Sequence, residues 1–555
     1  MPTYTEAFLL VLCAAIAALG YGSQLSKLLR IDPNLGDRGI LGLFTFGLLG
    51  CLLNFFTAIS PGIHFAILAV GVLLAGIRAA QLRNSRIIWA AAVVIFLYVL
   101  TRPHFQLNYD SGLYYFQTLR WIRSFSIVPG LGNLHGRFGF NLGIFLIAAV
   151  VDQDGIGWVS NLLVVLFVLV SLFIRIRKVI ANHRSSVEFW VLLLAILAFI
   201  EDRYVRSWYG VMNGDLFSAA LIVYWTCVAL GVSESSHLPT EIAVLMLSAA
   251  LAAFSKTSAL PLLLPAFALT WMHRKLVPAA TLWRAATFAG LILGLWMLRG
   301  LTLSGCALYP MSATCITSLP WAESERAIAG ESGSMRFWQR PGQGDIAKVI
   351  KDGTRLRHWI DATRNDRFLK LLIIFAPLGL ISALLRRRLR GQPAYGPLPL
   401  VVAAGLTGCL LLWFLTAPDP RFGEGFILSA ALLGGAVTFA ACFDQPRFTA
   451  YVPAVILAAW ALHIAIGVRN RVPRDYLGWE LPVVPTYEFT DDRGNRIFVA
   501  RHGDQCWNHP LPCTPYFDLP GLSKVRWPAT LPAPPPGWKP EIPPPYVWTG
   551  VDGGR

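Results

Sequence analysis

Charge is what this sequence has least of. Of 555 residues only 14% are Asp, Glu, Lys or Arg, 55% are hydrophobic, and mean hydropathy is +0.55. Also missing are HExxH, a CxxC cluster, a P-loop, GxGxxG after a strand and GxSxG. Those absences remove ATP-driven transport, soluble nucleotide-sugar binding and serine hydrolysis as ready readings. Neither an internal repeat nor a conventional soluble domain is evident. Long apolar runs recur instead, and they predict an all-α polytopic membrane protein.

The net charge of +16 and pI of 9.6 could suggest nucleic acid. Lys and Arg, however, cluster in short loops between apolar runs: RIRK at 175–178, HRK at 273–275, RRRLR at 386–390. Such loops orient a chain in a bilayer, so lipid is expected as partner and nucleic acid is not.

Hydropathy and loop charge predict about fourteen spans with both ends external. The first run, 6–21, has no basic residue before it and Lys27, Arg30 and Arg38 after it. It reads as a retained span rather than a cleaved signal peptide. Runs at 40–59, 63–77 and 87–100 follow. Residues 140–151 are too short to span, and counting them would put RIRK outside; they read as a helix dipping into the external leaflet. Spans at 158–174, 188–200, 216–232, 240–254, 259–272, 285–298, 368–385, 398–416, 425–442 and 451–467 complete the set. The chain divides into N-terminal helices (1–101), an external loop with interface helices (102–155), a membrane core (156–299), a large external loop (300–367), C-terminal helices (368–468) and a tail (469–555). Pro, Trp and Tyr predict that the tail is an irregular or polyproline-like segment packed on the external face, with a partly disordered linker as the alternative.

Nine cysteines are present, five of them in apolar runs, where a buried thiol is ordinary. Cys306 and Cys315, and Cys506 and Cys513, fall on the expected external side, where disulfides persist. Pairing within each segment is expected, although four cysteines permit three connectivities.

The longest polar interruption in the first half, 108–141, holds one carboxylate, Asp110, with Arg120, Arg123, His135 and Arg137 behind it. Tyr114, Gln117 and Trp121 recur there at helical spacing, so Asp110 would head a short amphipathic helix on the membrane face. An Asp at a helix start is also a ready N-cap. A lone acid outside the bilayer beside cations fits a positioned general base near an anion site. Lys256, Arg299 and Arg421 stand at external span ends and could together hold a phosphate, although snorkelling, or pairing of Arg421 with Asp419 or Glu424, would also explain them. Asp215 is a further external acid. Asp152 and Asp154 are two acids without a third ligand, so no cofactor is expected and a divalent metal has only that weak pair behind it.

Several blocks carry a family resemblance: YDSGLYYFQTLRW, VPGLGNLHGRFGFN, SKTSALPLLL, LSGCALYP, TAPDPRFG and GDQCWNHPLPCTP. They resemble a group of large, mostly uncharacterised bacterial inner-membrane proteins. Their layout is similar to the GT-C glycosyltransferases, including protein mannosyltransferases and the aminoarabinose transferase of lipid A. The resemblance implies a multi-pass inner-membrane protein with a periplasmic active site, Asp110 as the catalytic carboxylate, and Lys256 on the phosphate of a polyprenyl-phosphate sugar donor. Three extra N-terminal spans depart from that layout. So does Ser111 after Asp110 in place of a second acid, which leaves metal dependence without support.

The expected activity is inverting transfer of a sugar from the lipid phosphate to a cell-envelope glycan or glycolipid acceptor. The donor phosphate would be held by Lys256, Arg299 and Arg421. Tyr114, Arg120, His135, Arg137, Asp215 and Tyr309 would contact substrate, and Trp121 and Trp208 could stack on sugar, although a membrane-interface belt explains such aromatics equally. The alternatives are a flippase or transporter, or an O-antigen ligase or polymerase.

Overall fold

A computed structural model describes residues 4–78, 109–152, 157–181, 186–200, 212–232, 237–337, 355–390, 397–443, 484–516 and 519–529. The chain is mostly helical. Nine helices among the described residues are long and apolar enough to cross a membrane. They are α1 (Tyr4–Leu29), α2 (Leu35–Asn54), α6 (Trp158–Ala181), α8 (Gly214–Gly231), α9 (Leu238–Ser255), α11 (Ala279–Ser304), α14 (Arg367–Arg390), α15 (Pro397–Thr416) and α16 (Pro420–Cys442), with the shorter α12 (Glu325–Phe337) and α13 (Arg355–Thr363) between α11 and α14. Twenty helical residues reach about 30 Å, the thickness of a bilayer's hydrocarbon core. Three expected spans are shorter helices: α3 (Pro61–Ile77), α7 (Ser186–Ile200), and α10 (Leu263–His273) behind a 3-10 turn at Thr257–Leu262. The expected spans at 87–100 and 451–467 lie outside the described residues.

Small residues set the closest crossings, as expected where lipid supplies no hydrophobic drive between helices. A Cβ on Gly20 of α1 would stand 2.0 Å from the Gly71 carbonyl oxygen of α3, and one on Gly42 of α2 would stand 2.0 Å from that of Ala18. α8 is buried along its length, with α6, α7, α9 and α16 around it. α14 is the opposite, and Ile373, Ile374, Leu380, Ile381 and Leu384 project outward from it. That exposed apolar surface suits a helix facing lipid.

One charged network lies inside the bundle. Asp37 in the first turn of α2 accepts from Ser171 and Tyr224 (2.6 Å each) and from Arg175 (2.8 Å), which also meets Glu241 of α9 at 2.8 Å. Arg175 bridges the two acids at the end of the bundle opposite Asn54, where α2 finishes.

At the Asn54 end the chain between α3 and α6 folds into short pieces. A π turn at Ser111–Tyr115 leads into α4 (Phe116–Ser124), followed by 3-10 turns at Leu131–Asn133 and Gly136–Phe140 and by α5 (Ile144–Val151). α5 has 8 residues, about 12 Å at an α-helical rise, which cannot cross a bilayer. The expectation of a non-spanning helix at 140–151 stands in that form, but every residue of α5 is buried against α2, α3, α4 and α6. Protein, not the lipid leaflet, encloses it. α4 differs in the same way: Phe116, Gln117, Leu119, Trp121 and Ile122 are buried, so it is covered on both sides rather than lying open on a membrane face.

The cover is the tail. Residues 484–516 contain a three-stranded sheet, with β1 (Thr486–Thr490) antiparallel to β2 (Arg496–Ala500) and β3 (Cys513–Thr514) parallel to β2. The irregular tail expected from composition is therefore partly ordered as strands. Asp491 makes the turn, accepting from the backbone N–H of Arg493 and Asn495 at 3.0 and 2.8 Å, with Gly494 at φ 83°. The proline-rich stretch after 529 lies outside the described residues. Cys506 is bonded to Cys513, and Cys306 to Cys315. Two short loops are thereby closed.

Candidate functional site

Four chain segments bring charge to one place at the Asn54 end. Asp110 opens the π turn, Asp215 opens α8, Lys256 follows α9, and Arg421 stands in the first turn of α16. Asp419, between two prolines, caps α16 by accepting from the Arg421 N–H at 2.9 Å. Its backbone oxygen is held by Trp413 Nε1 at 2.8 Å, which fixes the direction in which Arg421 leaves the helix.

Arg421 Nη1 lies 3.7 Å from Asp110 Oδ2, and its Nε lies 3.9 Å from Asp419 Oδ2. Asp110 makes no side-chain cap bond, so the capping explanation for an acid at this position does not apply. Its side chain keeps 20% of its surface open. Lys256 is ion-paired with the buried Asp215 and stands 4.5 Å from the Phe422 ring, while the Arg421 guanidinium is 5.6 Å from the same ring. Burial, with the Arg421 charge nearby, draws the Lys256 ammonium below its ordinary range against the pull of Asp110, Asp419 and Glu424.

Acids outnumber bases here, since Asp110, Asp215, Asp419 and Glu424 surround Lys256 and Arg421. Two helix N-termini, those of α8 and α16, shift the balance back. Each adds roughly half a positive charge through its unpaired N–H groups, and Asp215 and Asp419 sit where those dipoles favour an anion.

Arg299 does not join this group. It is buried at the end of α11, where it donates to Asn141 Oδ1 at 2.5 Å and approaches Asn54 Oδ1 at 3.4 Å. Asn141 and Trp296 exchange backbone and side-chain bonds beside it at 2.6 and 2.7 Å. Arg299 therefore staples the 130–141 loop to α11 and α2, and two cations rather than three face Asp110.

The aromatics expected on substrate are mostly turned inward. Tyr114 is enclosed by Tyr115, Phe140 and Phe145, and Trp121 packs on Phe125 and Trp527. Trp208 and Asp154 lie outside the described residues. Arg120 spends its guanidinium on the tail, donating to the carbonyls of Asn508 and His509 at 2.6 Å each. Asp152 accepts from the Val159 N–H at 3.2 Å as a helix cap. Among the described residues no group of three or more His, Cys, Asp and Glu side chains converges as a metal site.

A second titratable group lies across Phe140 from Tyr114. The buried Tyr309 hydroxyl donates to Glu323 Oε2 at 2.9 Å, and Arg137 Nε is 3.8 Å from Glu331 while its guanidinium sits 5.0 Å from the Phe140 ring. Burial pushes the Glu323 carboxyl up to about 8 and the His135 imidazole down to about 3. Glu323 and Glu331 escaped the sequence reading because an acid in a long polar loop has no spacing that marks it.

A family model described as a domain of unknown function, DUF8201, matches residues 7–428. No curated protein and no solved structure matches the chain.

Proposed function

The chain belongs to the DUF8201 family, and from that premise, which carries no activity of its own, we propose that it is a membrane glycosyltransferase of the GT-C kind. The donor is a polyprenyl-phosphate sugar reaching the site from the bilayer, and the acceptor is a hydroxyl of a cell-envelope glycan or glycolipid. In this reading the Asn54 end of the bundle faces the periplasm of a bacterial inner membrane. The observation that carries the reading is the partly open Asp110 carboxylate 3.7 Å from the Arg421 guanidinium, with Lys256 behind it.

Asp110 accepts the proton of the acceptor hydroxyl as that oxygen bonds to the anomeric carbon. The bond from that carbon to the lipid phosphate breaks on the opposite face, so configuration inverts. The electron pair leaves with the phosphate, and Lys256 and Arg421 stabilise the charge that grows there, aided by the N-termini of α8 and α16. A phosphate is a stable anion, so no acid need protonate it. Lys256 is paired with Asp215 and Arg421 stands within 4 Å of Asp110 and Asp419, so the phosphate competes with a carboxylate for each cation.

The test is reconstitution of the full chain in liposomes with polyprenyl-phosphate sugars and an extract of envelope acceptors. Release of free polyprenyl phosphate together with glycosylated acceptor supports the reading. Lipid-linked sugar that crosses the bilayer intact would replace it with transport.

A further inference from the structure

The loop closed by Cys506 and Cys513 is occupied with the turn that carries Asp110. Before Asp110, the Tyr109 hydroxyl bonds to Asp504, and the Tyr109 carbonyl accepts from Gln505 Nε2 at 2.8 Å. After it, the Gly112 carbonyl accepts from the Trp507 N–H at 2.9 Å. Further along, Gln117 Nε2 donates to the carbonyls of Trp507 and His509 at 3.0 and 2.8 Å, and Arg120 reaches those of Asn508 and His509. Trp507 stands at φ 45°, and its indole fills the space over Gly112 so closely that a Cβ there would be 2.4 Å away. The Phe116 ring lies 6.1 Å from it.

This bracing has a physical reason. A π turn is a poor local structure, usually a single turn, and glycine within it loses further conformational entropy on folding. Asp110 adds no cap bond of its own. The turn's geometry is therefore set from outside, by Asp504, Gln505 and the Trp507 N–H on the turn itself and by the carbonyls of Trp507, Asn508 and His509 on α4 just behind it. Polar groups fixed in or beside a disulfide-closed loop have little entropy left to lose when they bond.

We propose that the disulfide loop 506–513, with Trp507 at its centre, is the positioning element that holds Asp110 at working distance from Arg421. Trp507 acts through the turn and touches no reacting atom. The inference rests on the reading of Asp110 as the base of the transfer reaction, but the ordering of the turn can be measured without any reaction.

The experiment uses the full chain in nanodiscs, as wild type, Trp507→Ala, Trp507→Phe and the double variant Cys506→Ser, Cys513→Ser. Hydrogen exchange over 109–121 is read beside exchange in α8, together with sugar-transfer kinetics. Expected for Trp507→Ala and the double variant is exchange over 109–121 faster by at least about tenfold with α8 unchanged. With it kcat falls by about 100-fold, the scale of a 1 Å misplacement, while KM for donor holds. Trp507→Phe, which keeps a ring over Gly112, recovers most of both; if the other variants also loosen α8, Trp507→Phe alone decides. Unchanged exchange over 109–121 overturns the proposal, as does faster exchange with intact kcat or a loss confined to KM. If wild type transfers no sugar yet the variants loosen 109–121, the transferase reading fails while the ordering of the turn stands.

Discussion

Arg421, one residue into α16, reaches to 3.7 Å from the Asp110 carboxylate, which heads a turn more than 300 residues earlier in the chain. The two meet because a proline-flanked cap fixes Arg421 and a disulfide-closed tail fixes the Asp110 turn. Neither constraint comes from the other's neighbourhood. Removing either cation of the site has separable consequences.

On the proposed transferase reading, Arg421→Ala lowers sugar transfer by about 10²- to 10³-fold, the range for loss of one preorganised charge at a developing anion. Arg421→Lys recovers only part, because an ammonium lacks the planar fork that can meet a carboxylate and a phosphate together. Steady-state rates in liposomes read both; equal rates for the Lys and Ala variants would show that geometry at 421 does not matter.

Asp215→Asn leaves Lys256 buried without its contact partner and destabilises the protein by about 3–5 kcal/mol. Adding Lys256→Met to that variant restores much of the loss, since the unpaired charge is then gone. Thermal unfolding in detergent completes the double-mutant cycle. An additive cycle would mean that the two side chains do not interact.

Glu323 gives a pH signature with a definite sign. Its folded carboxyl titrates near 8, above the ordinary value of 4.5, so between those values the folded chain holds a proton that the unfolded chain has released. Stability from this group is full below about pH 4.5 and is lost as pH rises through about 8. Glu323→Gln, which stays neutral, flattens that part of the profile. Denaturation midpoints of both proteins at pH 5 and pH 8.5 decide it; parallel profiles would exclude a buried neutral acid.

Gly42→Leu forces α1 and α2 apart, because its Cβ would lie 2.0 Å from the Ala18 oxygen. The cost is about 1–3 kcal/mol or more, as for overpacking in a close-packed interior. Gly76→Ala, with nothing within 4 Å of its Cβ, is the control. Matched thermal shifts for the two would remove the close-crossing argument.

The long apolar helices were legible because hydropathy acts on every residue of a run, and α6, α8, α9, α15 and α16 fall close to where that signal puts them, whereas α2 lies five residues earlier. Asp110, Asp215, Lys256 and Arg421 could be grouped at one end for the same reason. Arg299 could not be told from them in sequence: its end of the helix is right, but Asn141 and Asn54 take its donors, and an Asn carries no signal of its partner. The inward turn of Tyr114 and Trp121 was hidden too, since helical spacing gives a face without saying what covers it. The cover is a tail whose contacts with α4 run largely through backbone carbonyls, which every residue has.

The role of Asp110 as proton acceptor is tested on Asp110→Asn, a change that removes the acceptor and keeps the shape. In nanodiscs, binding of a polyprenyl-phosphate sugar and its transfer to acceptor are measured on the same preparation. If Asp110 is the base, donor affinity stays close to wild type while transfer falls by about 10²- to 10⁴-fold, the range of a lost general base. Transfer at the wild-type rate, or a loss explained wholly by donor binding, would contradict that role.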